Sequence, residues 1–490
     1  MRLQEEGKEL MQNYSNLNKI RIETLGCRLN QVESEAAASL FIKENFNVDL
    51  SSSTANEEID KDVVLCILNT CTVTQKAEQK ARRIIRLMLK KYPNASILVT
   101  GCYAQLSKEE ILKIDQRICV LGGQIKSRIE DVPLKLKNAL QTQWDPLSFS
   151  KEVQTQVSDR LIIKKDFSEN PFKLTTNNFI AHSRPSLKIQ DGCNSSCSYC
   201  AIHFARGKSV SLDVELAVER VKELEDKGYP EVVLTCVNIA QYKGKYQDKY
   251  FNFSKLLEKL LQSTEKINFR ISSLYPQIVD DEFCRVIASP RVRPFFHISV
   301  QSGSDKILSL MNRDYKADAV RSACKKIREA KNNPFIACDI ITGFPGESKE
   351  DFEQTMQLCR DCNFSWVHAF PFSERKGTLA VSLKNKVPQE ISGQRAKELT
   401  QWAINQKINY INQWCQKELD AVLETKKNPK ALSTNNNLSV YHLMTENFIH
   451  CELQSSKVLE MNKAVKIRII KPLNERVTKG GEIEALAELI

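Results

Sequence analysis

The stretch LKIQDGCNSSCSYC, residues 187–200, decides the fold. Leu187 and Ile189 alternate with polar neighbours as in a short strand, and the chain then enters a loop of turn-formers: Asp191, Gly192, Asn194, Ser195 and Ser196. Cys193, Cys197 and Cys200 sit in that loop as CxxxCxxC. Turn-forming neighbours argue against three small buried hydrophobes and for a metal centre. A structural zinc site wants four ligands, commonly as paired CxxC elements, and His203 is the one local addition. Three thiolates on a cubane instead leave one iron open to a reactive cofactor.

Reading outward, LKIQ is the first of six strand candidates, followed by EVVLTCV, NFRISSL, FFHISV, FIACDIIT and SWVHAF. Helical patterns such as DVELAVERVKELEDKG separate them, so residues 185–415 predict a partial TIM-like (β/α)6 barrel and a closing helical stretch. Upstream, residues 19–142 alternate KIRIETLG, VVLCILNTC and SILVTGCY with amphipathic stretches, which predicts an open parallel α/β sheet. Cys27, Cys71 and Cys102 each follow one of these strands. The C-terminal ends of a parallel sheet share one edge, where ligands bind, so three cysteines distant in sequence can converge there. Cys66 and Cys119 fall inside apolar runs and read as buried thiols. Residues 1–18 read as a polar extension, DLSSSTANEEID (49–60) as a surface loop, and 143–184 as a polar linker. From 416 to 490 the pattern turns β-like, with Val465, Ile467 and Ile469 alternating against Lys466 and Arg468, and predicts a small β-barrel. The chain as a whole is of the α/β class.

Hydrophobic residues make up 42% and charged residues 27% of the 490, the balance of a globular protein. No run approaches the roughly 18 apolar residues of a spanning helix, so no membrane partner is expected. MRLQEEGKELMQNYSNLNK has no apolar h-region, and sixteen cysteines without an export signal read as reduced thiols or ligands, which places the chain in the cytoplasm. The formal charge of +11 favours an acidic partner such as RNA.

CxxxCxxC at the end of the first strand of a partial barrel resembles the radical S-adenosylmethionine (SAM) superfamily. The resemblance implies a 4Fe-4S cluster on Cys193, Cys197 and Cys200, with SAM chelating the open iron and yielding a deoxyadenosyl radical on reduction. Tyr199 then stands beside the SAM adenine or packs on the barrel as a loop aromatic. The words ETLGCRLNQVESE, NTCTVT and TGCYAQ resemble the N-terminal domain of the methylthiotransferases. That implies a second, auxiliary 4Fe-4S cluster on Cys27, Cys71 and Cys102. HISVQSGSDKILSLMNRDY, CDIITGFPGES and HAFPFSERKGTLA resemble the family's barrel motifs. They make Gln301, Ser302, Gly343 and Pro345 candidate SAM contacts, as does Asn238 in VLTCVN. Turn chemistry is the alternative for Gly343, Pro345 and Asn238, and helix entry for Gln301 and Ser302, with Ser302 a possible N-cap. Four positions depart from the family's usual residues: His203 for proline, Leu212 for arginine, Cys236 for glycine and Tyr275 for glutamate.

Members of the family place a methylthio group on adenosine 37 of tRNA or on an aspartate of a ribosomal protein. One SAM methylates sulfur at the auxiliary cluster and a second supplies the radical, which fits a chain offering no convincing acid-base pair or nucleophile. ETLGCRLNQVESE and HAFPFSERKGT resemble the branch acting on N6-threonylcarbamoyladenosine more than the isopentenyladenosine or ribosomal-protein branches. The implied partners are the anticodon region of tRNA and an unidentified reducing partner. In QKAEQKARRIIRLMLKKY, Arg82, Arg83 and Arg86 lie opposite Ile84, Ile85 and Met88, as an RNA-contacting or simply solvated face. The C-terminal segment resembles a TRAM domain, with Lys466 and Arg468 as RNA contacts, although no glycine lies between Gly393 and Gly480. The rivals from another class are a zinc or iron-sulfur RNA-binding module without catalysis, and an electron-transfer protein.

Overall fold

Strand β3 (Val63–Thr70), VVLCILNT, is buried at every position, as a strand covered on both faces must be. It lies at the centre of a sheet ordered β2–β1–β3–β4–β5, where β1 is Lys19–Thr24, β2 Asn47–Asp49, β4 Ser96–Gly101 and β5 Ile118–Gly122. All the pairings are parallel. The computed structural model describes residues 17–163, 170–424, 439–460 and 463–490, so residues 1–16 of the polar extension lie outside the described residues. Helix α1 (Arg28–Lys43) follows β1, and α2 (Gln75–Lys91) follows β3. The Thr74 hydroxyl caps α2 by accepting from the Ala77 N–H, and Ala81, Ile84, Ile85 and Met88 are buried while Arg83 and Arg86 are exposed. A short helix α3 (Cys102–Leu106) begins directly at the end of β4.

The stretch read as a linker starts differently: Pro146–Ile163 is a helix, α4. Asp145 accepts from the Ser148 N–H at its entry, and Phe149 and Val153 join Trp144, Ile20 and Leu121 in the core of the sheet domain. Phe149, Val153, Val157 and Leu161 recur every four residues, a helical spacing that the polar composition of the stretch outweighed in the linker reading.

The chain divides into two compact units, the first running to Asn178 and including Gly192–Asn194 and Cys200–Lys208, the second holding Phe179–Asp191, Ser195–Tyr199 and Ser209–Ile490. The second contains six parallel βα segments in sequence order. Their strands are β6 (Ser186–Lys188), β7 (Glu231–Thr235), β8 (Asn268–Ile271) with its continuation β9 (Ser273–Leu274), β10 (Phe295–Gln301), β11 (Phe335–Thr342) and β12 (Trp366–Pro371). Residues 268–274 change partner midway: β8 pairs with β7, and β9 with β10. The result is the expected partial barrel, ordered β6–β7–β8 and β9–β10–β11–β12. Helices α5 (Val214–Asp226), α6 (Asp305–Leu310), α7 (Ala317–Ala330), α8 (Lys349–Asp361) and α9 (Gln389–Trp414) complete it. At its base Glu231 is buried with Arg270 at 2.6 Å and Arg293 at 3.2 Å. Burial works against the carboxylate, yet the two arginines hold Glu231 down to about 2.

The C-terminal strands β13 (Glu418–Leu423), β14 (Ser439–Thr445), β15 (His450–Ser455), β16 (Ala464–Pro472) and β17 (Ala485–Leu489) close into a five-stranded barrel, β13–β14–β15–β17–β16. The missing glycines are replaced by other devices. Phe448 takes a left-handed φ of 68° in the β14–β15 turn, where Thr445 Oγ1 accepts from the Ile449 N–H, and a register shift between Ile469 and Lys471 bends β16. Phe448 also stacks on Phe295 at 4.0 Å, so this barrel and the six-stranded one share a core and form one unit rather than two. No helix among the described residues is long and apolar enough to cross a membrane.

Candidate functional site

Cys27 is the N-cap of α1, Cys71 follows β3 and Cys102 opens α3 after β4, so all three stand at the C-terminal ends of adjacent parallel strands. Two glycines make room for them. A Cβ on Gly26 (φ +97°) would lie 2.6 Å from Cys71 Cβ, and one on Gly101 (φ +96°) would lie 2.3 Å from the Thr70 carbonyl oxygen. Asn30 ties the same edge together by donating to the carbonyls of Leu25 (2.8 Å) and Thr70 (3.1 Å). Burial pushes the Cys71 thiol up to about 12; a hydrogen bond from the Val73 backbone opposes this, and nearby Cys102 and Cys27 add to it. Burial also raises Cys102, against the positive charges of Arg206 and Lys126. Those two cations share buried Glu33, which pairs with Lys126 and with Arg206 at 3.3 Å, while Arg206 donates to Asn30 Oδ1 at 2.7 Å. Nothing in the sequence pattern joins Arg206, Lys126, Glu33 and Asn30, because they come from segments far apart in the chain.

In the CxxxCxxC loop, Gly192 (φ +71°) is fixed by the Lys208 carbonyl, which a Cβ would meet at 2.0 Å. The Cys193 N–H donates to Gly207 O at 3.0 Å, and the Ile202 N–H points at Cys200 Sγ at 3.5 Å. Cys197 receives a charged donor: Arg313 Nη1 lies 3.2 Å from its Sγ. The guanidinium stands 4.5 Å from the Tyr275 ring and 4.8 Å from the Tyr315 ring, and its Nη1 also donates to Tyr275 Oη at 3.2 Å. No carboxylate pairs with Arg313 among the described residues. The motif MNRDY held this arginine, but nothing in the pattern linked it to Cys197. Among the described residues no three His, Cys, Asp or Glu side chains stand close enough to hold a single metal ion.

Tyr199 packs edge-on against Phe344 at 6.3 Å, beside Ile307, Met311 and Phe372. Asn238 does two things: its Oδ1 accepts from the Ala240 N–H at 3.1 Å, closing a turn, and its Nδ2 donates to Ser195 Oγ of the cysteine loop at 3.3 Å. Gln301 ends β10 with a left-handed φ of 70°, rare for a residue with a side chain. Ser302 is buried and is not the helix cap; Ser304 caps α6 by accepting from the Ile307 N–H, and Ser302 Oγ accepts from the Ser304 N–H at 3.2 Å. Gly343 (φ +70°) leaves no room for a Cβ beside Ser392 Oγ at 1.8 Å, its N–H donates to Glu347 at 2.7 Å, and Pro345 is buried next to it. Of the departing residues, Leu212 is buried, its carbonyl accepting from Tyr242 Oη, His203 packs against Phe204, and burial pushes Cys236 up to about 12.

The cationic residues divide. Arg83 and Arg86 are exposed, whereas Arg82 is engaged with Glu110 (3.0 Å) and Tyr103 Oη (2.9 Å). Arg468 is held between Glu418 (3.4 Å) and Glu488 (3.2 Å), and Lys466 lies 3.9 Å from Asp420.

The radical SAM superfamily model matches residues 187–359, and that of the uncharacterized protein family UPF0004 matches residues 19–123. Fold and matches together define the class, a radical SAM enzyme preceded by a UPF0004 domain. The chain is 42% identical over 473 residues to the threonylcarbamoyladenosine tRNA methylthiotransferase MtaB of Treponema pallidum, covering 88% of this chain and 93% of that one. It is 31% identical over 375 residues to the tRNA-2-methylthio-N(6)-dimethylallyladenosine synthase of Endomicrobium trichonymphae, covering 75% and 80%. Among solved structures, the radical SAM methyltransferase TsrM of Kitasatospora setae is similar at a TM-score of 0.45 and 12% identity, over 72% of this chain and 75% of that one. The chain belongs to the methylthiotransferase family of radical SAM enzymes, in its MtaB branch. Its cofactors are those of that branch, SAM and two 4Fe-4S clusters.

Proposed function

We propose that the chain adds a methylthio group to C2 of N6-threonylcarbamoyladenosine at position 37 of tRNA, beside the anticodon, in the cytoplasm. The observation that carries this reading is the alignment of Cys27, Cys71 and Cys102 on one sheet edge, with glycines where a Cβ would collide, ahead of a barrel that opens on CxxxCxxC. In a cubane each thiolate binds its own iron, so ligands stand farther apart than those of one ion, and three thiols at adjacent strand ends fit such a group. Identity of 42% to a threonylcarbamoyladenosine enzyme, against 31% to a dimethylallyladenosine one, favours the first substrate.

The target carbon is neither acidic nor attached to a leaving group, so acid-base or nucleophilic catalysis has no foothold. When bound, SAM on the first cluster supplies a deoxyadenosyl radical on reduction, and the auxiliary cluster supplies the sulfur. Cys193, Cys197 and Cys200 would hold the first cluster, and Cys27, Cys71 and Cys102 the second. Arg313 fixes the Cys197 thiolate through its N–H donor. Tyr199, Asn238, Gln301, Ser302, Gly343 and Pro345 line the SAM site, with Asn238 tying the turn after β7 to the cysteine loop. Exposed Arg83 and Arg86 on α2 meet RNA phosphates. A one-electron protein reductant is the remaining partner.

Anaerobically reconstituted protein, given SAM and dithionite, should methylthiolate tRNA carrying N6-threonylcarbamoyladenosine and leave a ribosomal-protein substrate peptide and dimethylallyladenosine tRNA unchanged. Modification of the peptide with no change in tRNA would sink the proposal.

A further inference from the structure

Strands β10, β11 and β12 each turn one face to the helices and the other to the barrel interior. On the helix side, Phe296, Ile298, Val300, Ile336, Cys338 and Ile340 are fully buried. The interior face is different at each level. Its floor is closed by Phe295 and Phe335, stacked at 5.9 Å, with Phe448 on Phe295 and Tyr410 edge-on to Phe335. Above the floor the rings of His297 and His368 stand parallel, 5.3 Å apart at 9°, and Phe370 continues the series 6.4 Å from His368 at 10°. His368 is exposed, and Phe370, one residue from the C-terminal end of β12, is 44% exposed, at the strand ends where barrel enzymes build their sites.

Polar groups accompany the rings. Asp339 is the register partner of His368 on the neighbouring strand, and its Oδ2 lies 2.9 Å from His297 Nε2. That approach is close but off the line an N–H donor needs, so the buried Nε2 has no aligned hydrogen bond. Trp366 Nε1 donates to His368 Nδ1 at 3.2 Å, which fixes the ring and leaves its proton on Nε2. Surrounding protein, and then His297, hold His368 down to about 4, so it presents a neutral aromatic face at physiological pH. Flat exposed rings above a closed floor, with a part-exposed carboxylate at their side, are the chemistry that receives a planar heterocycle with a donor edge.

We propose that His368 and Phe370 form the stacking platform for the target adenine, and that Asp339, braced by His297, meets its hydrogen-bonding edge. This rests on the tRNA methylthiotransferase reading. A base enters a barrel only after leaving its own stack, and enzymes acting on such a base hold it by stacking and by hydrogen bonds to its edge. SAM carries an adenine too, and Tyr199 of the cysteine loop packs with Phe344 beside Phe372, just past the end of β12, so the two ligands are told apart by measuring their affinities separately.

The test uses cluster-reconstituted protein and anticodon stem-loop RNA carrying either N6-threonylcarbamoyladenosine or plain adenosine at position 37, with RNA and SAM affinities measured separately. The intact protein should prefer the modified stem-loop. Phe370→Ala and His368→Ala should each weaken its binding by roughly 5- to 150-fold, while Phe370→Tyr keeps it and SAM affinity and iron content stay unchanged. Loss of SAM affinity with RNA binding intact would give the platform to the SAM adenine and overturn the proposal, as would variants that bind both ligands normally. Failure of the intact protein to bind either stem-loop would bring down the tRNA reading itself, and the proposal with it.

Discussion

Gly101 occupies a position no other residue fits: its φ is +96°, and a Cβ would sit 2.3 Å from the Thr70 carbonyl. Gly101→Ala should cost about 1–3 kcal/mol from left-handed strain and overpacking, seen as a lower urea midpoint in the cluster-free chain. An unchanged midpoint would show that the edge carrying Cys71 and Cys102 tolerates relaxation. Arg313 acts through Cys197 and leads to a different expectation. Its positive N–H donor, 3.2 Å from the thiol sulfur, favours the extra negative charge of a reduced cluster. Arg313→Gln should therefore lower the midpoint potential of the cluster on Cys193, Cys197 and Cys200 while iron content is retained. Tyr275→Glu, which sets a carboxylate beside the guanidinium, should lower it too, and an unmoved potential in both would limit Arg313 to packing. At this scale the placement of Cys27, Cys71 and Cys102 at strand ends was legible, because each follows an apolar run in the sequence itself. Arg313, Lys126 and Glu33 were not, since a lone charged residue declares its partner only after the chain has folded.

Helix α2 divides its labour by face. Ala81, Ile84, Ile85 and Met88 hold it on the sheet, while Arg83 and Arg86 look outward. Replacing both arginines by serine should change stability by no more than about 0.5 kcal/mol. If α2 meets RNA, the same change should reduce the salt dependence of RNA binding by the equivalent of about two phosphate contacts; an unchanged slope would leave the arginines solvated. The barrel base carries the larger electrostatic load. Glu231→Gln leaves Arg270 and Arg293 buried without their carboxylate, at a cost of about 3–5 kcal/mol. The sign with pH follows from the direction of the shift. Glu231 is held down to about 2 in the folded chain, so its contribution is full above the ordinary unfolded value near 4.5 and drains away as pH falls toward 2. Urea midpoints measured across that window should fall for the native chain and flatten in Glu231→Gln. The strands of both sheets were legible as apolar runs with thiols or turns at their ends. Helix α4 was passed over for its polar composition, although Phe149, Val153, Val157 and Leu161 recur every four residues, and the C-terminal barrel closes through Phe448 and a bulge in β16 rather than through glycine.

Over the whole molecule, the excess of 11 positive charges reads as an RNA-facing property, but it is unevenly available. Arg468 in the C-terminal barrel is bracketed by Glu418 and Glu488, so exposed cations such as Arg83 and Arg86 are better placed to meet phosphate. Composition could supply the sign of the partner's charge and not the surface that meets it. Class and cofactors were legible because cluster chemistry demands cysteines in recognisable patterns; the ring series of His297, His368 and Phe370 was not, because it is assembled from two strands far apart in the chain. The most direct test of the central claim is mass spectrometry of tRNA nucleosides from cells lacking this gene. 2-Methylthio-N6-threonylcarbamoyladenosine should disappear, return with the intact gene, and fail to return with Cys71→Ala or Cys197→Ala. Persistence of that nucleoside in the deleted strain would contradict the substrate assignment and turn attention to the ribosomal protein.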